Sequence, residues 1–390
     1  MRRMIGTIGV MVALVAAAAA PANAHSAIES AFMGGLEASG RSAGTADPSG
    51  AFIYRRGRFS PLGAIPGAVR LSDPPGFPGA TAFSTHFAIN DHGAVAGIYG
   101  DSLPGGDGNL PPGSVHGFVK DRRGGVTRFD VPGAREVLAK GINNRGQVVG
   151  EYVDDTAVPG ASGLLPAGSV HGFIRRPNGR ISAFDVPFAY LHDIGDINDR
   201  GQIVGYYDDP DRPYNLGGGF LRERDGRITK LDVPGALSTN PRCVNDRGQV
   251  VGSYVDAGTK PNSDGTIPQG VIHGFIWERG RYRVFDPAGS VYTEPTGCND
   301  RGQITGGYQD AWGKEHGFLL SRGRTIRLDA RGRIDNIAWG INNRGEVVIP
   351  EPTVRLAYHV ARRTSSLARP YRRGIASATG GEDVRCRCVP

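Results

Sequence analysis

The stretch Ile142-Asn143-Asn144-Arg145-Gly146-Gln147-Val148-Val149-Gly150 decides how this chain is read. An apolar residue leads into an Asn-Asn-Arg-Gly turn, and a β-branched run follows. The Asn side chain can cap such a turn through its own backbone, and the Gly supplies the positive φ that the turn requires. Two strands joined by a tight turn are therefore expected, and geometry accounts for the Asn and Gly without a ligand.

The same Asn-Asp/Asn-x-Gly turn starts at Asn90, Asn143, Asn198, Asn245, Asn299 and Asn342, at spacings of 53, 55, 47, 54 and 43 residues. Self-similarity with a period near 50 belongs to the blades of radial β architectures and not to helical solenoids. Working outward from the turn, the first five repeats continue with Gly-x-Tyr-x-Asp, as in Gly150, Tyr152 and Asp154, then a variable loop, then His-Gly-Phe, which in the third is Gly218-Gly219-Phe220; the sixth has Ile349, Glu351 and Thr353 in place of Gly, Tyr and Asp. A strand ending in Phe/Leu-Asp closes it, as in Phe129-Asp130-Val131-Pro132, where the Pro cannot donate to a ladder. Four antiparallel strands per repeat, a to d, are expected, with no helical period.

The expected fold is thus all-β: a six-bladed β-propeller of four-stranded blades. A c–d pair precedes the first turn (Phe52 through Leu62), while a and b strands follow Asn342 with a weaker c strand at Leu356–His359. Pairing of the amino- and carboxyl-terminal strands should therefore close the ring.

Residues 50–360 resemble the bacterial extracellular repeat proteins named for a His-Ala-Phe tripeptide. The resemblance rests on the recurring Ile-Asn-Asp-Arg-Gly-Gln-Ile-Val-Gly pattern and on His-x-Phe, with Gly117, Gly172, Gly274 and Gly317 standing where the family name has Ala. It implies a secreted propeller and carries over no catalytic residue.

Composition agrees with a folded, exported protein. Gly 60 and Pro 27 in 390 residues stop short of low complexity, and 39% hydrophobic residues suffice for a large core. Residues 1–24 read as a signal peptide: Arg2 and Arg3, an apolar run from Ile5 to Ala20, and Ala22-Asn23-Ala24 before the cleavage point. That run is too short for a permanent span, and no later stretch qualifies. A flexible leader is expected over 25–49 and a disordered basic tail over 361–390. The net charge of +7 resides in the signal and in that tail, where seven Arg face Glu382 and Asp383. The repeat body is formally neutral, which argues against a nucleic-acid groove.

The a–b turns are short and alike, whereas the b–c loops are long and varied, so the b–c face is the expected working face. Asp101/His116, Asp154/His171, Asp256/His273 and Asp310/His316 flank the loop bases, and their repetition points to structural pins. The strands nearest the axis carry a non-repeating polar set: His86, Lys140, His192, Asp193, Asp196, Arg242 and Glu294. Six of these, all but Asp196, are the candidate binding residues, because one asymmetric site cannot repeat. No metal or cofactor is expected. Gly106-Asp107-Gly108-Asn109 and Asn262-Ser263-Asp264-Gly265 lack calcium-loop spacing, and Gly40-Arg41-Ser42-Ala43-Gly44 lacks the strand and helix of a nucleophile elbow.

Cys243 and Cys298 stand two residues and one residue before their Asn, on opposite strand faces, so no bridge is expected between them. Cys386 and Cys388 could pair locally or with another chain. The functional reading is a secreted, monomeric binding scaffold for an envelope polymer or a protein. The alternative is a polysaccharide hydrolase or lyase using Asp193 and Glu294.

Overall fold

The computed structural model describes residues 51–55, 58–68, 87–102, 111–157, 166, 168–189, 192–209, 216–260, 268, 270–328 and 337–350. The signal, leader, basic tail, Cys386, Cys388, Leu356–His359 and His86 lie outside the described residues, as does most of each long b–c loop. Every regular element among the described residues is a strand.

The chain opens with the hairpin β1 (Ala51–Arg55) and β2 (Arg58–Pro61). A four-strand meander follows: β3 (Phe87–Ile89), β4 (Val95–Gly100), β5 (Val115–Lys120) and β6 (Val126–Phe129). The next comprises β7 (Ala134–Ile142), β8 (Val148–Asp154), β9 (Val170–Arg175) and β10 (Ile181–Phe184). The third comprises β11 (His192–Ile197), β12 (Ile203–Tyr207), β13 (Gly218–Arg222) and β14 (Ile228–Leu231). The fourth comprises β15 (Ser238–Val244), β16 (Val250–Val255), β17 (Ile272–Glu278) and β18 (Arg281–Phe285). The fifth comprises β19 (Ser290–Cys298), β20 (Ile304–Asp310), β21 (Glu315–Ser321) and β22 (Arg324–Arg327). The last described strands are β23 (Gly340–Ile341) and β24 (Val347–Pro350).

These last two complete the opening hairpin. Strand β1 pairs antiparallel with β24, Phe52 opposite Ile349 and Ile53 opposite Val348, and the sheet order is β2-β1-β24-β23. The first and last described strands thus share one four-stranded sheet. Elsewhere strands follow chain order within each meander, and one parallel ladder pair, Val115 with Glu136, links the first two meanders into one sheet.

Burial falls from the first strands of each meander to the last. All five residues of β12 are buried, whereas β18 and β22 are largely exposed. The inner strands read as continuous apolar runs because neighbouring sheets cover both of their faces. The Phe of each His-Gly-Phe sits at the centre of this packing, and so does its counterpart in the third meander. Phe118, Phe173, Phe220, Phe275 and Phe318 are each 0% exposed, and burying each contributes roughly 1.5–3 kcal/mol.

The turn between β7 and β8 shows why the repeat keeps its residues. Asn143 Oδ1 accepts from the backbone N–H groups of Arg145 and Gln147, and Gly146 takes a φ of 71°. Further up the hairpin, a Cβ on Gly150 would run into the carbonyl oxygen of Leu138. That crowding has a cause: the register of β7 slips between Ala139 and Gly141, a β-bulge that pushes the strand toward its partner.

Cys243 and Cys298 form a disulfide, with Cα atoms 5.8 Å apart, contrary to expectation. The two side chains do leave opposite faces of equivalent strands. In stacked sheets, however, the forward face of one meets the backward face of the next. The residue two before the Asn points forward, as Gly141 does toward Asp196, and the residue one before points back, as Ile197 does into the cluster with Val149. Cys243 holds the forward position and Cys298 the backward one in consecutive sheets. Opposite faces are therefore what brings the two sulfurs together.

Candidate functional site

The bulge recurs at one place in the innermost strands. Register slips between Ala139 and Gly141 on β7, Ile194 and Asp196 on β11, Pro241 and Cys243 on β15, and Pro295 and Gly297 on β19. The residues left out of the ladder are Lys140, Gly195, Arg242 and Thr296, each three positions before its Asn. Bulges re-aim side chains, and these four residues line one central cavity of about 140 Å³, joined by Trp339 at the same offset from Asn342. A repeated backbone device thus presents non-repeating side chains.

Behind the two cations runs a buried ionic chain. Lys140 Nζ lies 3.5 Å from both Glu151 Oε1 and Asp193 Oδ1. Arg242 Nη1 donates to Asp193 Oδ2 at 2.8 Å, and its Nη2 stands 3.9 Å from Glu294 Oε1. Tyr292 donates its hydroxyl to Glu294 Oε2 at 2.8 Å, and the backbone N–H of Ile194 donates to Glu151 Oε2 at 2.8 Å. Asp193 and Glu294 are each 3% exposed and do not line the cavity. His192 is equally buried at the start of β11. Burial pushes Glu294 above the usual carboxylate range, with Arg242 and Tyr292 pulling it back.

Of the candidate binding residues, then, Lys140 and Arg242 face the cavity, Asp193 and Glu294 brace them from behind, and His86 lies outside the described residues. Glu151 was not singled out in the sequence, yet it completes the chain. Its signal was available: it is the middle residue of Gly-x-Tyr, where the other repeats carry Ile98, Tyr206, Ser253 and Gly307. Asp196 also lines the cavity, and burial raises its pKa to about 7 against the opposing backbone N–H groups of Ile197 and Val244.

One end of the cavity is lined by the a–b turns, which hydrogen-bond in a circuit. The Asn143 side chain donates to the carbonyl of Asn198, Asn198 to Asn245, Asn245 to Asn299, and Asn299 to Asn342, at 2.9 to 3.1 Å. Asn90 donates to Asn143 at 3.0 Å, and Asn342 returns to Asn90 at 3.3 Å.

The loop bases lie toward the other end of the hairpins. His116, His171, His273 and His316 contact Asp101, Asp154, Asp256 and Asp310 through Nε2 at 3.1, 3.1, 3.3 and 2.8 Å. A second partner was missed in the sequence. The Asp that ends strand d meets Nδ1, as Asp130 does with His116, Asp185 with His171 and Asp286 with His273, at 2.6 to 2.7 Å. In the fifth meander Arg327 contacts Nδ1 of His316 instead. The Tyr of Gly-x-Tyr packs on each ring, with centroids 4.9 to 5.5 Å apart. For His171 burial lowers the pKa, but Asp185 and Asp154 outweigh it and the net shift is upward; His273 behaves alike with Asp286 and Asp256. The third meander has Gly218 in the His position, and a side chain there would strike Asp232.

Among the described residues, no group of three or more His, Cys, Asp or Glu is placed to hold a metal ion, and no helix is long and apolar enough to cross a membrane.

No family profile and no curated protein matches the chain. Solved structures do. A streptogramin B lyase is 9% identical with a TM-score of 0.35, over 68% of this chain and 91% of that one. TolB from Acinetobacter baumannii is 10% identical with a TM-score of 0.41, over 79% of this chain and 65% of its own. The β-propeller domain of the Trilobed protease from Pyrococcus furiosus is 8% identical with a TM-score of 0.41, over 66% and 75%. Among the described residues the chain itself is all-β, built of four-stranded antiparallel meanders.

Proposed function

We propose that this all-β chain is a six-bladed β-propeller, closes by pairing its first and last described strands, and is exported as a monomeric scaffold that binds an envelope polymer or a protein on its b–c face. Closure draws support from the shared sheet β2-β1-β24-β23 and from the Asn circuit that returns from Asn342 to Asn90. Export draws support from the signal-like first 24 residues and from the Cys243–Cys298 disulfide, since such bonds persist in oxidising compartments. The repeat pattern also supports a place among the His-Ala-Phe repeat proteins.

The binding reading rests on one observation: in four of the five complete meanders, loops of unlike sequence stand on similar bases, an imidazole held by Asp and stacked on Tyr. A rigid base with a variable tip is how scaffolds carry recognition. The alternative, a polysaccharide hydrolase or lyase, would need Asp193 and Glu294 free to reach a substrate. Both are instead buried and share Arg242, and removing a buried carboxylate from its cation is costly.

The test takes the purified chain from His25 onward, screened on a glycan array and against isolated envelope polymers for both binding and turnover. Binding that is lost when residues 158–165 are replaced by a Gly-Ser segment of equal length, with the unfolding midpoint unchanged, supports the scaffold. Turnover of any glycan would overturn it.

A further inference from the structure

The second residues of the a–b turns form their own circuit, beside the Asn one. The backbone N–H of Asp91 donates to Asn144 Oδ1, that of Asn144 to Asp199 Oδ1, and that of Asp199 to Asp246 Oδ1, at 2.6 to 2.7 Å. Asp246 continues to Asp300, Asp300 to Asn343, and Asn343 back to Asp91, at 2.7 to 2.8 Å. Each side chain so far acts alike, through its Oδ1. The remaining atom, Nδ2 or Oδ2, must then meet its counterparts on either side.

Here the identities alternate. Asn144 Nδ2 donates to Asp91 Oδ2 and to Asp199 Oδ2, both at 2.9 Å. Asn343 Nδ2 donates to Asp91 Oδ2 at 3.0 Å and to Asp300 Oδ2 at 2.6 Å. Asp91, Asp199 and Asp300 are the acceptors, and two Asn are donors between them. The sixth place lies between the acceptors Asp199 and Asp300, where the pattern requires a third donor. It is occupied by Asp246.

A carboxylate cannot donate; a carboxylic acid can. We propose that Asp246 is a proton-operated latch: protonated, it takes the donor place that amides hold elsewhere in the circuit, and ionised, it sets three carboxylates side by side and loosens the arc from Asp199 to Asp300. The charged groups facing it are acids from every neighbouring element: Asp199 and Asp300 on the flanking turns, and Asp196 on β11. The Arg residues next along these turns, Arg200, Arg247 and Arg301, are exposed. Burial first, then Asp199 and Asp300, raises the Asp246 pKa to about 6. An acid raised in the folded state contributes stability below its unfolded value of 3.8 and loses that contribution as pH climbs through about 6. The cavity end is therefore tied tightly in mild acid and relaxed above neutrality. The latch depends only on the turn circuit and on no reading of the ligand.

The test compares thermal unfolding of the intact mature chain and its Asp246→Asn variant at about pH 5 and about pH 8. Asn supplies the donor at every pH, so the variant should melt above the parent by a margin that widens from the acid to the alkaline point, where it reaches at least about 2–4 °C. The clamped His residues titrate in both chains and cancel in the difference, whereas Asp196, whose pKa the Asp246 charge raises, responds with Asp246. Asp91→Asn is the control for simple charge relief. Flanked by two amides, it removes their acceptor and should lower the midpoint at both pH values. A variant-to-parent gap that is equal at the two pH values overturns the latch. So does an Asp91→Asn chain that gains as much as Asp246→Asn. So, too, does calcium closing the gap at the alkaline point in the parent chain alone, because a cation and not a proton would then bridge the acids.

Discussion

The side-chain amide of Asn342 donates to the backbone carbonyl of Asn90, 3.3 Å away and 252 residues earlier in the chain. The five other links of that circuit join turns 43 to 55 residues apart, so this one alone spans the two ends of the repeat array.

Asn342→Ala removes this link together with the caps that Asn342 Oδ1 gives to Arg344 and Glu346. A loss of about 1–3 kcal/mol is expected, for buried groups left without partners. Asn198→Ala should cost a similar amount, because its place in the circuit is equivalent. Removing residues 51–61 should cost more than either, since it strips the edge of β24. Urea unfolding midpoints measure all three. A midpoint that does not move on the deletion would show that the proposed closure is wrong.

The Cys243–Cys298 bond closes a loop of 55 residues between neighbouring sheets. Reduction, or replacement of both residues by Ser, is expected to lower stability by about 2–4 kcal/mol. The double variant should then be indifferent to reductant. Peptide mapping without reduction, alongside denaturant titration with and without dithiothreitol, checks both statements.

Arg242 is the one cation between Asp193 and Glu294 in the ionic chain. Arg242→Met is expected to cost about 3–5 kcal/mol, since two buried carboxylates lose their shared partner. Adding Glu294→Gln to that variant should recover part of the loss, because one charge fewer is then stranded. A double-mutant cycle in urea reads the coupling.

His171 donates from both ring nitrogens only as the imidazolium, and its pKa is raised above the ordinary 6.5. Its pairing with Asp185 and Asp154 is therefore fully stabilising below about 6.5 and is lost as pH rises through the raised value. Asp185→Asn should move the His171 titration downward in an NMR experiment, and Asp286→Asn should do the same for His273. His171→Ala should lower stability by about 1 kcal/mol. Titrations left unmoved by both Asp→Asn changes would mean that these clamps carry no charge.

Much of the architecture could be read from the chain because the repeat is local. Asn143, Gly146 and Gly150 are dictated by one turn and one bulge within a single hairpin, so their spacing announces the strands before any packing is known. The loop-base pairs are local too: His171 stands opposite Tyr152 in the hairpin of β8 and β9, and Asp154, two residues on, reaches its ring. Asp185 is even closer in sequence to His171, yet its tie depends on where strand d stops, and the Phe-Asp ending reads only as a strand terminus.

What the tertiary structure alone decided lies between sheets. Strand alternation rightly puts Cys243 and Cys298 on opposite faces, but which faces meet depends on how one sheet stacks on the next. The polar set of the inner strands was visible as non-repeating, while its assembly into the chain Glu151, Lys140, Asp193, Arg242, Glu294 required bulges that aim two cations at the cavity with carboxylates behind them. Asp246 is the clearest case. In the sequence it is one more acceptable residue after a turn Asn, and only when six turns meet does its place between Asp199 and Asp300 demand a donor. Local geometry is written in neighbouring residues; a demand made by partners some 50 residues away on either side appears only once the chain has brought them together.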